Sequence, residues 1–189
     1  MRLALLFVLT LAVSAAHAQP VDASIIPDDA PEWQTVGTAI ADAEAEDKVL
    51  LLHGYAAWCG WCARLDQDVY TDDEVQAYLA QNFEVTRLNI ENRETIDFFD
   101  FRLPVAWLAS GIGITSTPTT IFMDPESGEI ITRLPGYADR ETFLYALRYV
   151  REGAYERESF QDFVDARKEE IELEEVEEPG PAPLVPLAE

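Results

Sequence analysis

The chain has 189 residues, 48% hydrophobic and 26% charged, a balance that fits one globular domain and excludes both disorder throughout and a multi-domain build. Its 13 Lys and Arg stand against 36 Asp and Glu, for a formal charge of -23, which leaves no basic footprint for nucleic acid or an anionic membrane. Two cysteines, Cys59 and Cys62, are too few for a disulfide framework, so whatever they do they do as a pair.

Met1-Arg2 and the apolar run 3–13 are too short to span a bilayer, and Ala16-His17-Ala18 offers small residues where a signal peptidase needs them. The expectation is a signal peptide over 1–18, a mature start at Gln19, and a location outside the cytoplasm. No cysteine near the cut offers a lipid anchor, and no later segment is apolar enough for stable membrane insertion. Between 31 and 48, Trp33, Val36, Ile40 and Ala43 recur at helical steps. Val49-Leu50-Leu51-Leu52 then runs apolar without alternation, as a strand covered on both faces does. After the cysteines, Thr71-Asp72-Asp73-Glu74 reads as a capping box leading into Val75, Tyr78 and Leu79. Residues 83–90 are strand-like, 103–110 read as a short helix, and 119–123 is rich in β-branched and aromatic residues. The turn 124–128 joins that strand to 129–134 as a hairpin. Asp139 caps a helix with Phe143, Leu144, Leu147 and Val150 inward, closed by Gly153, and 159–168 adds one more.

Residues 168–189 hold one Lys, eight Glu and four prolines, and read as a solvated acidic tail, with 169–178 able to extend the preceding helix. Without the signal and the tail, residues 19–167 still carry -17, a charge that serves solubility. The element order implies an α/β domain over 19–167, with two helical layers around a small mixed sheet.

Trp58-Cys59-Gly60-Trp61-Cys62 follows a buried strand and opens a helix running through Ala63, Leu65 and Val69. Two thiols at this spacing can close a small disulfide, and the first faces the unpaired N–H groups of the helix end, which favour thiolate. A thiolate attacks a partner disulfide, and a thiol three residues on resolves the mixed disulfide. Haem attachment needs a His where Ala63 stands, and a closed zinc site needs four ligands where the mature chain has Cys59, Cys62 and His53. A plain structural bridge remains open, although one between residues three apart constrains little chain entropy.

These residues, with Arg87-Leu88-Asn89-Ile90-Glu91 and Gly113-Ile114-Thr115-Ser116-Thr117-Pro118-Thr119, give a pattern over 48–149 that resembles the thioredoxin-fold thiol-disulfide oxidoreductases. Leu134-Pro135-Gly136-Tyr137, 143–153 and the short helix after Ser159 make it most similar to secreted thioredoxin-like proteins of bacterial sulfur oxidation and periplasmic thiol reduction. The resemblance implies a central mixed sheet of four to five strands and a cis Pro118 facing the cysteines. It implies a partner segment paired to the backbone of Thr117, and a contact surface that includes Trp58, Gly60 and Trp61. Sequence alone leaves Thr117-Pro118 most often trans and keeps a core aromatic open as the lesser reading of Trp58.

The resemblance further implies a periplasmic reductase, monomeric, needing no metal or cofactor, acting on protein thiols and disulfides and recharged by a membrane-embedded electron donor. Oxidation or isomerisation, and a non-catalytic adaptor, are the alternatives. One departure matters. Where thioredoxins usually have a buried Asp six residues before the first Cys, this chain has His53, with Arg87 where a Lys is common. His53 either takes the resolving thiol's proton or is a hydrogen-bonded core residue. Asp66, Asp68, Asp72 and Asp73 read as surface charge opposing the thiolate, an effect that screening makes weaker than the helix end.

Overall fold

The structure is a computed structural model describing residue 27 and residues 30–177. The predicted signal peptide and residues 178–189 of the predicted tail lie outside the described residues.

The first helix, α1 (Val36–Glu46), starts later than the periodicity suggested because Thr35 takes the cap position and accepts from the Thr38 N–H. Trp33 therefore belongs to an extended segment before the helix. Strand β1 (Val49–Tyr55) leads to α2 (Gly60–Leu65), which continues as a π-helical turn over Asp66–Tyr70. Helix α3 (Asp73–Asn82) is capped by Asp72, one residue after the predicted capping position. Strand β2 (Phe83–Asn89) is followed by a hairpin that sequence did not suggest, β3 (Thr95–Phe98) and β4 (Phe101–Pro104). Next come α4 (Val105–Gly111), β5 (Thr119–Met123), β6 (Ile130–Pro135) and α5 (Arg140–Arg151), whose cap is Asp139 as expected.

The last helix, α6 (Phe160–Glu177), runs well past Lys168, where sequence placed the start of the tail. Its Glu-rich continuation consists largely of strong helix formers, and the first proline, Pro179, comes after its end.

The central sheet has four strands in the order β2-β1-β5-β6, and the β3–β4 hairpin forms a sheet of its own. Strand β1 pairs parallel with β2 and antiparallel with β5, so it is interior and covered on both faces. That explains its unbroken apolar run: Leu51 belongs to the core cluster that also holds residues of α3, α5 and α6, whereas Leu50 and Leu52 belong to the one that holds residues of α1, α4 and Phe98 of β3. His53 follows Leu51 by two residues and shares its face, directly beside Arg87 of β2 in the parallel register. Before α1, Gln34 adds a short bridge to the outer edge of β2: its N–H donates to the Val85 carbonyl, and the Thr86 hydroxyl donates to the Gln34 carbonyl.

Candidate active site

The chain leaves β1 at Tyr55 and turns so that the Cys59 N–H donates to the Ala56 carbonyl at 3.0 Å. Cys59 is the N-cap of α2 and accepts at its Sγ from the Cys62 N–H at 3.1 Å. The two cysteines form a disulfide, with Cα atoms 5.2 Å apart. Ala56, Tyr55 and Ile90 pack around the bridge. Cys59 retains 7% exposure and Cys62 only 2%, so the first sulfur is nearer the solvent.

Two tryptophans flank the bridge in the open, Trp58 at 70% exposure and Trp61 at 58%. Trp61 is not loose: its ring lies 5.4 Å from that of Tyr137, and the Arg64 guanidinium sits 5.8 Å from the Trp61 ring and 5.9 Å from the Tyr137 ring. Arg64 and the Tyr137 hydroxyl both donate to Asp68. Gly60 has open space where a Cβ would stand, so packing within the chain does not require glycine there.

The Thr117-Pro118 bond is cis. Register places Thr119 opposite Gly54, so Thr117 and Pro118 lie at the same end of the sheet as the cysteine loop. The Gly136 N–H holds the Pro118 carbonyl at 2.8 Å. On the neighbouring face, Gly54 leaves room for Ile114, whose Cδ1 would lie 2.7 Å from any added Cβ.

His53 of β1, Asp66 of the π-helical turn and Arg87 of β2 form a second, buried polar group. His53 has no exposure, and neither ring nitrogen has a hydrogen-bond partner among the described residues. Burial, reinforced by the adjacent Arg87 charge, pushes its pKa down to about 3, so the imidazole is neutral at ordinary pH. Asp66, one helical turn after Cys62, corrects its sequence reading as a surface charge. Its side chain is 1% exposed, and Oδ2 accepts from Arg87 Nη2 at 3.1 Å. A position four residues from a buried cysteine shares that cysteine's helix face, which is the signal that was available. Burial raises the Asp66 carboxyl above its ordinary value, while the charge and hydrogen bond of Arg87 act against that rise. Arg87 in turn rests against two aromatic rings, Tyr55 at 4.0 Å and Trp33 at 5.0 Å.

Residues 36–151 match the family described as Thioredoxin-like domain. The chain belongs to the thioredoxin-like domain family. It is similar to the thiol:disulfide interchange protein DsbD of Ralstonia nicotianae, 30% identical over 71% of this chain and 21% of that protein. DsbD 1 of Pseudomonas aeruginosa is 33% identical over 51% of this chain and 17% of its own length. The chain thus spans about a fifth of the length of these curated relatives. Among solved structures, a thioredoxin from Thermus thermophilus superposes with a TM-score of 0.54 at 26% identity, over 64% of this chain and 87% of that one. A thioredoxin-fold protein from Helicobacter pylori gives 0.55 at 24% identity, over 69% of this chain and 86% of that one, a likeness of fold. This thioredoxin-like chain is thus similar to one part of DsbD, and it carries its cysteine pair at the C-x-x-C spacing. Among the described residues, no His, Cys, Asp and Glu group could hold a metal ion, and no helix is long and apolar enough to cross a membrane.

Proposed function

We propose that the chain is a protein-disulfide reductase working in the periplasm after removal of residues 1–18. In the reduced protein, the Cys59 thiolate attacks a partner disulfide. One Cys59–partner bond forms, and the partner's other sulfur leaves as a thiolate. Cys62 then gives up its proton and attacks Cys59 Sγ, the second partner sulfur departs, and two electrons have passed to the partner. A membrane-embedded dithiol donor returns the bridge to the reduced state.

The observation that carries this reading is the Cys62 N–H aimed at Cys59 Sγ at 3.1 Å, on the more exposed sulfur of the pair. A hydrogen bond from a helix-end amide stabilises negative charge on the attacking sulfur. Trp58 and Trp61 supply apolar contact on either side, Gly60 leaves a partner room to approach, and the backbone of Thr117 before Pro118 pairs with an extended segment.

For the Cys62 proton, the acceptor is Asp66 rather than His53. A histidine whose cationic form is so disfavoured is a weak base, whereas a buried carboxyl with a raised pKa is suited to accept and return a proton. Asp66→Asn should slow the resolving step by about 10²-fold and let the mixed disulfide accumulate.

Cys62→Ser provides the main test, because it should hold partners on Cys59 as stable mixed disulfides. Cys59→Ser should abolish reduction of insulin. Insulin reduction that survives Cys59→Ser, together with no trapped partner, would sink the reading. The midpoint potential decides direction: a strongly oxidising value would assign the pair to oxidation instead.

A further inference from the structure

Trp33 precedes the residues that match the family, 36–151, yet it reaches the buried group of Arg87, Asp66 and His53. The segment carrying it is pinned to β2 on both sides of the Gln34 backbone, and the Gln34 amide also donates to Glu84 at 2.6 Å. Its indole lies 5.0 Å from the Arg87 guanidinium carbon, edge-on to Tyr70 at 4.9 Å and 5.8 Å from the His53 ring.

Arg87 has little else to fix it. Only Nη2 reaches Asp66, and Nε and Nη1 have no hydrogen-bond partner among the described residues. One hydrogen bond leaves a guanidinium free to swing about it. Two ring faces, Trp33 and Tyr55, supply the remaining constraint, and a desolvated cation–π contact is strong enough to matter. The titratable and charged groups around the Arg87–Asp66 pair are His53 and Tyr55 of β1 and Tyr70 of the π turn, with Cys62 one turn before Asp66 on the same helix.

We propose that Trp33 is a positioning residue of the redox centre: with Tyr55 it holds the Arg87 guanidinium against Asp66, and so sets the pH at which proton uptake accompanies reduction of the bridge. This rests on Asp66 being the proton partner of Cys62. Reducing the bridge breaks one S–S bond and takes up two electrons from the donor dithiol, and the two thiols take up protons according to pH. Asp66 enters as the group whose own protonation bends the pH dependence of the midpoint potential. If Arg87 drifts away, the buried carboxylate loses its counter-charge and holds its proton to higher pH.

The test equilibrates the full chain against a thiol–disulfide buffer over a pH series, for wild type, W33L, W33F and D66N, with folding checked by thermal melting. D66N should remove the slope change assigned to Asp66. W33L should move it upward by about half to one pH unit, and W33F, which keeps a ring face, should leave it nearer wild type. Should W33L fail to fold, W33M, also without a ring, takes its place. Curves for W33L and W33F that superimpose on wild type while D66N removes the slope change would overturn the role of Trp33 and leave the proposed function standing. A shift in W33F as large as in W33L would also overturn it, because the ring face would then be irrelevant. A slope change that survives in D66N would overturn this inference together with the reading beneath it.

Discussion

Imidazole in water titrates near pH 6.5, but His53 is fully buried beside a guanidinium and stays neutral down to about pH 3. In the unfolded chain it takes up a proton as pH falls through about 6.5, and the folded chain refuses that proton. The stability His53 allows is thus complete above pH 6.5 and is lost as pH falls toward 3, at up to about 1.4 kcal/mol per pH unit. Asp66 has the opposite sign: its raised carboxyl adds stability below its ordinary value of 3.8, and this is lost as pH rises through the folded value. Between pH 7 and 5, wild type should therefore lose about 2 kcal/mol more than His53→Leu in urea unfolding. Equal losses in the two proteins would mean that His53 is protonated alike in both states. The sequence showed that an expected acid was missing at 53. Its spacing of four from Cys62 set Asp66 apart from Asp68, Asp72 and Asp73, but only packing shows that it is the buried one, held against Arg87.

Elements with strong end signals were the ones readable in advance. Asp139 and Gly153 bracket α5 as expected, and the turn 124–128 delivers β5 to β6. The β3–β4 hairpin escaped because its turn is Phe99-Asp100, with Phe99 itself at a φ of 49°, instead of the glycine or asparagine pair that marks such turns. The spacing of Trp33 to Val36 is helical, but Thr35 between them caps α1 and leaves Trp33 outside it. Helix α3 shows how much an end can carry. Asp72 accepts from the Glu74 and Val75 N–H groups and from Arg140, which also bonds Glu74 and so ties α3 to α5. Burial opposes the Asp72 charge, but the Val75 amide, Arg140 and the Glu74 amide outweigh it and hold the carboxyl below its ordinary value. Asp72→Ala should cost about 1–2 kcal/mol, read as a melting temperature lower by about 2–8 °C. Asp72→Asn keeps the cap and loses the ion pair, so it should fall between. If Asn proves as damaging as Ala, the Arg140 contact and not the cap is what stabilises α3.

A formal charge of -23 on 189 residues acts over the whole molecule, and several of its cations are already engaged. Lys48 pairs with Glu46 and Glu84, Arg148 with Glu74, and Arg167 with Glu152 and Glu170. The field met from a distance is accordingly negative, while the exposed side chains beside the bridge, Trp58 and Trp61, are aromatic, with Arg64 already turned to Asp68. These two features act at different stages of an encounter. The long-range field sets how often a partner arrives and is screened within about 8 to 10 Å at ordinary salt, whereas the apolar contacts act only after docking and are indifferent to salt. Mixed-disulfide formation by the Cys62→Ser protein with a basic disulfide-bearing protein should therefore slow by about 10-fold between 0.01 M and 0.3 M salt. With an acidic disulfide-bearing protein it should quicken over the same range, because repulsion is being screened. Stopped-flow rates across a salt series measure both. Matching salt responses for the two partners would show that the charge plays no part in selecting them, and would leave the aromatic surface around Cys59 as the sole discriminator.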